Sequence, residues 1–559
     1  MTAKDILESF NEINNVNQLR EDIISFTLYD KKFVIILPSR KDPSSKASIF
    51  LYNDELFDFP HVMLRDIKFD DGKYLPKGEY RWVCLYEQES IVNSILSYED
   101  KIVDCIDRLK ELLCMNSVEI EREFKKEFMF YWNSKAVGND KYFVYLRNEV
   151  TYSELDEYCN NNNIRLIEHG LTLSDLNNRK KEKNIWIHHL ECEIFYIPII
   201  DSRGILPPHR GYDWTKKDVQ NIIYSKQISH IDDKTFNKLK SHHLKRQTVI
   251  LVFGMKNGYS NLTFAVKVKF NNHTRHALLE KILYDIVSVE PLATERKDYL
   301  YLSNQIGNEV GLINKKILLI GVGSLGSYVA FELVKNGAIH IDIYDGDNLE
   351  DVNVLRWAYG GIGKGLNKAL AIKALLNMLH PEIKVEAHDT NINTDLLIKT
   401  LTNVDMIVIT IGNSDEQLKF NRALKEAGCS IPVFYVWLEE GGVNSHILYV
   451  NYQLPGCFEC LYTDNDGNFV NNRARKNTFT ISDAGIIKNG CGGTRAAYGT
   501  AIILRTTAAL LDVIRDSTRH QNERSTLLDL TPNSICISDT QLQMEACNCC
   551  GSNACKAKV

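Results

Sequence analysis

The 559-residue sequence predicts a multidomain protein that combines α+β and α/β folds, with a parallel α/β sheet in its C-terminal part. A chain of this length exceeds a single hydrophobic core and suggests about three or four domains. From residue 301 onward, strand patterns alternate with helical patterns, as in parallel sheets. Before that point, the two kinds of pattern are grouped or are separated by polar loops. We therefore expect domains at residues 1–134, 135–300 and 301–559.

The first of these regions, residues 1–134, predicts an α+β domain with its strands first and its helices last. The stretches FTLYDKKFVIIL and EYRWVCLY alternate in polarity as strands do. A helix follows, because Ile102, Ile106, Leu109 and Leu113 recur at intervals of three and four residues. A second, charged amphipathic helix, EIEREFKKEFMFYW, closes the domain.

Residues 135–300 predict a mixed α/β linker domain that carries no recognisable motif. Its strand patterns are YFVYL, IWIHHL, EIFYIPII, TVILVFGM and LTFAVKVKF, separated by polar loops rich in His, Lys and Asn. A scaffolding role is the simplest interpretation.

The composition excludes several classes of protein. The formal net charge of −6 argues against nucleic-acid binding driven by bulk electrostatics. No apolar run reaches the roughly 18 residues that a membrane span requires. The N-terminus MTAKDILESFNEINN has acids where a signal peptide has its apolar core. We therefore expect a cytoplasmic protein in which the 14 cysteines stay reduced, as buried residues, metal ligands or nucleophiles.

A glycine motif marks a candidate nucleotide site in the C-terminal domain. Gly321, Gly323 and Gly326 form G-x-G-x-x-G directly after the strand KKILLI and at the start of a helix. Such glycines allow a tight turn and let backbone amides approach phosphate at a helix N-terminus. Asp345 ends the next strand, where a carboxylate binds a ribose hydroxyl in nucleotide-binding folds.

The residues after Asp345 distinguish two kinds of nucleotide chemistry. Asn353, Arg356 and Lys368 follow within the stretches DGDNLEDVNVLRW and GKGLNKALAIKALLNML. Cations are needed where negative charge develops as pyrophosphate leaves a triphosphate, whereas hydride transfer has no such requirement. The pattern favours adenylation over an NAD-dependent oxidoreductase.

Together, the glycine motif, Asp345, the N-x-x-R of Asn353 and Arg356, and Lys368 resemble the adenylation domain of the ThiF/MoeB family, which includes the ubiquitin-activating enzymes. The resemblance covers roughly residues 305–450. It implies ATP and magnesium as cofactors, with Asp345 on the ribose and Arg356 and Lys368 as catalytic contacts to the phosphates. The resemblance also implies that Asn353 helps to order the site.

The sequence departs from that family at the magnesium aspartate expected after the strand DMIVITIG. Gly412 and Asn413 stand there instead, and Asp415 comes slightly later. Asp415 either takes over the metal or caps the helix that follows.

Two separated cysteine groups predict a structural Cys₄ zinc site. Cys457 and Cys460 form one pair, and the C-terminal ACNCCGSNAC supplies the other. We select Cys547 and Cys550 as the second pair, although the choice among Cys547, Cys549, Cys550 and Cys555 stays open.

Two further cysteines are candidate nucleophiles. Cys491 stands in NGCGGTRAAYGTA, near Arg495 and before a predicted helix, a setting that favours the thiolate. By the same family resemblance, Cys491 has the location of a catalytic cysteine. Cys84 lies in EYRWVCLY, after Pro60 and His61. The whole N-terminal segment resembles a bacterial conjugating-enzyme-like domain, in which this cysteine accepts the acyl group. Whether His61 takes part in the chemistry or only packs stays open.

The combined domains resemble the fused activating–conjugating enzymes of bacterial antiphage operons that use cyclic-oligonucleotide signals. That resemblance implies a relay from acyl-adenylate to Cys491, then to Cys84, and finally to an amine or lysine acceptor. The implied partner is the C-terminus of a cGAS-like nucleotidyltransferase, which conjugation primes for antiviral defence. Related enzymes imply a homodimer through the activating domain. The sequence leaves open whether the relay runs within one chain or across a dimer. Two other functions also stay open: an adenylyltransferase that acts on a sulfur carrier, and a non-catalytic nucleotide-binding scaffold.

Overall fold

The structure is a computed structural model of the 559-residue chain. It describes residues 2–42, 44–52, 60–67, 80–86, 95–136, 138–160, 163–173, 186–209, 212–271, 277–307, 311–313, 315–442, 444–475, 486–488, 494–496, 498–519, 524–531, 534–539 and 542–551. The chain divides into two compact units. The first contains Met1–Leu171 and Trp186–Arg296, and the second consists mainly of Lys297–Val559. Among the described residues, no helix combines the length and the apolar character needed to cross a membrane.

The first unit begins with an antiparallel sheet packed against a long amphipathic helix. Its elements are α1 (Ala3–Glu8), β1 (Ile13–Arg20), β2 (Ile23–Leu28), β3 (Lys31–Ile36), β4 (Ser48–Tyr52), β5 (Val62–Ile67), β6 (Tyr80–Val83) and α2 (Tyr98–Leu113). The strand order is β1-β2-β3-β4-β6-β5. Ile102, Ile106 and Leu109 on α2 are fully buried against this sheet, as their spacing predicts. The short helix α1, which precedes the strands, was not predicted from the sequence pattern.

The helical segment that follows is broken, whereas the sequence pattern predicted one continuous helix. It forms α3 (Ser117–Lys126) and α4 (Phe128–Ser134), with Glu127 between them at φ −98° and ψ 22°. The physical reason lies in packing, because Phe128 and Trp132 on α4 enter a large core of the same unit. The Trp132 indole N–H donates to the Leu292 carbonyl at 3.0 Å.

That larger core belongs to an eight-stranded mixed sheet with order β13-β12-β11-β10-β8-β9-β7-β14. The elements are β7 (Lys141–Tyr145), β8 (Ser153–Asn160), β9 (Asn163–Glu168), β10 (Ile187–Ile199), α5 (Lys216–Ile223), α6 (Asp233–Ser241), β11 (Thr248–Lys256), β12 (Asn261–Phe270), α7 (Leu278–Tyr284), β13 (Ile286–Leu292) and β14 (Thr294–Arg296). The patterns IWIHHL and EIFYIPII, which the sequence suggested as separate strands, are joined in the single long strand β10, which contains IHHL of the first and EIFYIPI of the second.

The second unit is a doubly wound α/β domain. Its elements are α8 (Tyr299–Gln305), β15 (Lys316–Ile320), α9 (Ser324–Lys335), β16 (His340–Tyr344), α10 (Lys368–Asn377), β17 (Lys384–His388), α11 (Thr394–Thr400), β18 (Met406–Ile409), α12 (Ser414–Glu426), β19 (Val433–Leu438), β20 (Ser445–Val450), β21 (Ile486–Lys488), β22 (Thr494–Ala496), α13 (Thr500–Arg519), β23 (Thr526–Thr531) and β24 (Ser534–Asp539). The main sheet has order β17-β16-β15-β18-β19-β20-β23-β24, and β21 pairs with β22.

The sheet of the second unit is parallel from β17 to β19 and antiparallel beyond. The antiparallel edge extends the parallel sheet that the sequence predicts. Residues of α9, α10 and α13 pack in the core on one face, and residues of α11 and α12 pack in the core on the other. From β15 the chain winds first towards β17 and then back to β18 and β19, so the strand order reverses beside β15. Ligands bind at such a reversal, beyond the carboxyl ends of the strands.

Candidate functional site

The glycine loop between β15 and α9 combines tight packing with open space. Gly321 has φ +87°, and a Cβ there would lie 2.8 Å from Ile411 Cγ2. A Cβ on Gly326 would lie 2.0 Å from the Gly321 carbonyl oxygen, so the helix packs directly on the loop. A Cβ on Gly323 would meet no atom within 4 Å. The first and third glycines therefore shape the turn, and the second faces open space at the N-terminus of α9.

That open space is a cavity of about 780 Å³ at the carboxyl ends of the central strands. Its volume falls in the range of small-molecule sites. Six of the seven residues predicted to bind nucleotide line it, and Gly326 packs beneath the loop. The lining comprises Gly321, Gly323, Ser324, Leu325, Asp345, Asp347, Asn348, Glu350, Asn353, Arg356, Lys368, Thr410, Ile411, Gly412, Val436, Trp437, Leu438 and Tyr498.

Asp345, at the end of β16, is fixed by two backbone donors. The Val322 N–H donates to Oδ2 at 2.7 Å, and the Asp347 N–H donates to Oδ1 at 2.9 Å. Burial raises the pKa of the Asp345 carboxyl, and these two donors oppose the shift. The carboxylate is therefore oriented before any ligand arrives.

Lys368 is the first residue of α10 and is almost completely buried. Its Nζ lies 2.8 Å from Oδ2 of Asp347, whose side chain is 72% exposed. Asn367 caps α10 and also donates to the backbone carbonyl oxygens of Asp345 and Asp347 at 2.7 and 3.2 Å. The cap thus couples the start of α10 to the loop after β16 and holds the ammonium group at the cavity.

The segment with Asn353 and Arg356 forms a short 3₁₀-helix, Asp351–Arg356. The Arg356 guanidinium carbon lies 5.1 Å from the ring centroid of Tyr498, close enough for a cation–π contact. The Trp357 indole N–H donates to the Val322 carbonyl at 3.0 Å, which attaches this segment to the glycine loop. The arginine is therefore positioned from two directions.

Three carboxylates of the cavity, and not Asp415, are the candidate magnesium ligands. Asn413 caps α12 by accepting from the N–H groups of Asp415 and Glu416, and Asp415 does not line the cavity. Asn413, and not Asp415, therefore provides the cap. Among the described residues, the carboxylates that line the cavity are those of Asp345, Asp347 and Glu350. Magnesium commonly binds one or two carboxylates together with substrate phosphates and water, so this donor set fits the ion.

The four cysteines predicted as metal ligands come together. One ligand atom from each of Cys457, Cys460, Cys547 and Cys550 lies within 4.8 Å of all the others. The Sγ separations are 3.9 Å for Cys457–Cys460, 3.9 Å for Cys457–Cys547 and 3.4 Å for Cys460–Cys550. Four sulfurs at about 2.3 Å from a tetrahedral zinc ion would stand roughly 3.8 Å apart, so the set fits zinc.

Of the other candidates for the second pair, Cys549 is outside this group, and its Sγ accepts from the Asn421 amide at 3.3 Å. The same amide lies 3.6 Å from Cys457 Sγ. Cys555 lies outside the described residues.

The two candidate nucleophiles fare differently. Cys491 lies outside the described residues. Cys84 follows β6 and is partly exposed, and its backbone N–H donates to the His61 carbonyl at 2.8 Å. His61 itself lies beside two glutamates of α3 and the α3–α4 junction.

Sequence reasoning missed Asp347, Trp357 and Tyr498 as parts of the site. Asp347 is one of several acids in DGDNLED, and only its pairing with Lys368 distinguishes it. Tyr498 comes from a distant part of the chain, so no local pattern connects it with Arg356.

The second unit is similar to one known protein family. Residues 306–550 match the ThiF family. The second unit therefore resembles a ThiF-type domain with a Rossmann-like fold, and the matched residues correspond to the α/β elements described above.

The particular relatives are partial matches. Ubiquitin-like modifier-activating enzyme 5 of Drosophila ananassae is 24% identical over 204 residues, which cover 34% of this chain and 50% of that protein. The enzyme of the same name from Caenorhabditis briggsae is 26% identical over 202 residues, covering 33% and 44%. The chain thus spans about half the length of the curated relatives it matches. The solved structure of E. coli MccB with ATP aligns at 20% identity and a TM-score of 0.34, covering 44% of this chain and 69% of that one.

Proposed function

We propose that the second unit uses ATP to adenylate the C-terminal carboxylate of a partner protein. The observation that carries this proposal is the convergence of the glycine loop, Asp345, Arg356 and Lys368 on one cavity. A nucleotide-binding loop alone suits many reactions. Two cations beside it suit a reaction in which charge builds up on departing pyrophosphate.

Each residue has a defined task in this step. Backbone amides at the start of α9 bind phosphate oxygens, and Asp345 accepts a hydrogen bond from the ribose. A carboxylate oxygen of the partner attacks the α-phosphorus, and the bond from that phosphorus to the bridging oxygen breaks. Arg356 and Lys368 stabilise the charge on the pyrophosphate that leaves. Magnesium held by the cavity carboxylates would neutralise phosphate charge.

The second part of the proposal is a thioester relay. The Cys491 thiolate attacks the acyl carbon of the adenylate, and AMP leaves. The Cys84 thiolate then attacks the same carbon and displaces Cys491. An amine attacks last, loses a proton and displaces Cys84 to give an amide. The partial exposure of Cys84 and its place directly after β6 suit an acceptor thiol.

The proposal for the partner rests on resemblance, and the proposal for the assembly rests on resemblance and on exposed apolar side chains. The fused arrangement resembles enzymes of antiphage operons, so we propose a cGAS-like nucleotidyltransferase as the conjugated protein. We also propose a homodimer through the second unit. It is supported by exposed apolar side chains around the 3₁₀-helix and α10, namely Val352, Leu355, Ile362, Leu366, Leu370 and Met378. Exposed apolar residues concentrated in one region are typical of interaction surfaces.

We further propose that Cys457, Cys460, Cys547 and Cys550 hold a structural zinc ion. The set is closed, with four sulfur ligands and three of the four residues buried. A closed set of this kind leaves no coordination position for a substrate.

The decisive experiment combines ATP–pyrophosphate exchange with non-reducing gels, using the full chain and candidate nucleotidyltransferases. Exchange should survive in Cys84→Ala and Cys491→Ala and should be lost in Lys368→Met. Lys335→Met is the matched control, because Lys335 is a half-exposed lysine on the outer side of α9. A thiol-sensitive adduct should disappear in Cys491→Ala. Exchange without an adduct would instead indicate an adenylyltransferase for a sulfur carrier.

A second candidate is a non-catalytic nucleotide-binding scaffold. It is favoured by Gly412, because no carboxylate stands where the ThiF/MoeB family is expected to bind magnesium. Nucleotide binding without pyrophosphate exchange for any partner would support it over the enzyme.

A further inference from the structure

The residue opposite Cys84 in the first unit is unusually well anchored. β5 and β6 are antiparallel and pair Val62 with Val83, which places His61 opposite Cys84. The Cys84 N–H donates to the His61 carbonyl at 2.8 Å. His61 has φ +67°, a left-handed conformation that a residue with a side chain adopts only when its surroundings stabilise it.

Those surroundings come from α3 and α4. The His61 backbone N–H donates to Tyr131 Oη at 2.6 Å. Its Nδ1 lies 3.1 Å from Glu127 Oε1, and its Nε2 lies 3.4 Å from Glu123 Oε2. Both ring nitrogens thus face carboxylates, and only the imidazolium form donates to both.

The charges around the ring support that form. Burial works against protonation, but hydrogen bonds and charges from Glu127 and Glu123 outweigh it, so the pKa of His61 is raised. Lys126 and Arg122 of α3 face Glu123 at 2.8 and 3.5 Å. Burial raises the pKa of the Tyr131 phenol, and the charge of Glu127 adds to the shift, so Tyr131 stays neutral.

We propose that His61 is a positioning residue for Cys84, held as an imidazolium between Glu123 and Glu127. The inference rests on the proposed function for the role of Cys84 as an acyl acceptor. The two ion pairs fasten the start of β5 to the helices, and the His61 carbonyl fixes the Cys84 amide. Deprotonation of His61 removes one hydrogen-bond donor from between two carboxylates. This loosens the attachment of β5 to the helices and changes the environment of the Cys84 thiol.

The test is site-resolved alkylation of the full chain with iodoacetamide, read by peptide mass spectrometry from pH 5.5 to 9. Cys114 is the internal reference, because it is exposed on the same unit. We expect the ratio of the alkylation rate of Cys84 to that of Cys114 to change by a further factor of about three or more as the pH rises above 6.5. The step should be absent in His61→Asn, should move to lower pH in Glu127→Gln, and should be unchanged in the exposed control His169→Asn.

Superimposable profiles for wild type, His61→Asn and Glu127→Gln would overturn the proposal. If His61→Asn fails to fold, the isosteric Glu127→Gln decides the question alone. Alkylation needs neither ATP nor a partner, so this result is independent of the proposed function. A parallel assay of acyl transfer to Cys84 should show the same pH step if both proposals hold.

Discussion

The ammonium group of Lys368 lies 2.8 Å from the carboxylate of Asp347, and both groups line the cavity above the glycine loop. The lysine side chain is 9% exposed, whereas the aspartate is 72% exposed. The buried cation is therefore held in place by an acid that stays open to solvent. Lys368 therefore does not have to move into the cavity when a triphosphate binds. The exposed carboxylate of Asp347 is available to a metal ion.

We predict that Lys368→Met lowers pyrophosphate exchange by about 100- to 1,000-fold, the usual effect of removing one group that stabilises transition-state charge. The control variant Lys335→Met should retain wild-type exchange. Equal losses in both variants would mean that the effect arises from folding.

We predict that Asp347→Asn raises the Mg²⁺ concentration needed for half-maximal exchange, because it removes a negative charge that lines the cavity and is 72% exposed. The measurement is a Mg²⁺ titration of exchange at saturating ATP. An unchanged titration in Asp347→Asn together with a shifted one in Glu350→Gln would assign the metal to Glu350 instead.

The glycine loop offers a matched pair of substitutions. Gly326→Ala places a methyl group 2.0 Å from the Gly321 carbonyl oxygen and should destabilise the domain by about 1–3 kcal/mol. Gly323→Ala meets no atom within 4 Å, so folding should be unaffected while ATP binding weakens about tenfold. Thermal denaturation and calorimetric titration with ATP check the two effects. Normal ATP binding by Gly323→Ala would place the phosphates elsewhere.

His446 on β20 provides a pH test of stability. Its ring nitrogens lie 2.6 Å from Asp529 Oδ1 and 2.9 Å from Glu439 Oε1. Burial lowers the pKa of His446, but the two carboxylates outweigh burial and raise it overall. Because the folded-state pKa is raised, the stabilisation is complete below pH 6.5 and is lost as pH rises through the folded value.

His446→Gln should therefore lower the free energy of unfolding by about 3–5 kcal/mol at pH 6, and the difference from wild type should shrink towards pH 9. Urea denaturation at both pH values measures it. A difference that stays constant across this range would contradict a protonated His446.

We predict that the purified chain contains one zinc ion and that Cys460→Ser loses it with a drop in melting temperature. Cys549→Ser is the control, because Cys549 lies next to the group without belonging to it. Elemental analysis and thermal denaturation with and without a chelator give the result. Full zinc content in Cys460→Ser would exclude this ligand set.

The parts of the fold that were predictable depend on local patterns. The glycine loop, Asp345 and the α/β alternation are encoded in short stretches, and the structure has them at the expected positions. The antiparallel edge was not predictable, because the SHILYV strand is buried along its whole length and such a run does not reveal strand direction. The break at Glu127 was hidden for a similar reason, because apolar spacing continues from α3 into α4.

The site shows the same division. The sequence indicated two cysteine pairs and favoured Cys547 and Cys550 for the second, with Cys549 and Cys555 still open. In the structure Cys547 and Cys550 group with the first pair, and Cys549 lies outside that group. The sequence left two roles open for Asp415, as a substitute for the family's metal ligand or as the cap of the helix that follows. In the structure it follows the capping Asn413 in the first turn of α12 and does not line the cavity.

The four-cysteine group joins two places that are 90 residues apart along the chain, since Cys457 meets Cys547 and Cys460 meets Cys550. A metal ion there would close the intervening sequence into a ring. Closing a ring of this size lowers the conformational entropy of the unfolded chain, which stabilises the folded state by about 4–5 kcal/mol. Cys491 belongs to that ring by sequence. Both ends of the sequence between the two cysteine pairs would thus be attached to the same metal ion. Unlike a disulfide, this cross-link is not opened by a reducing environment.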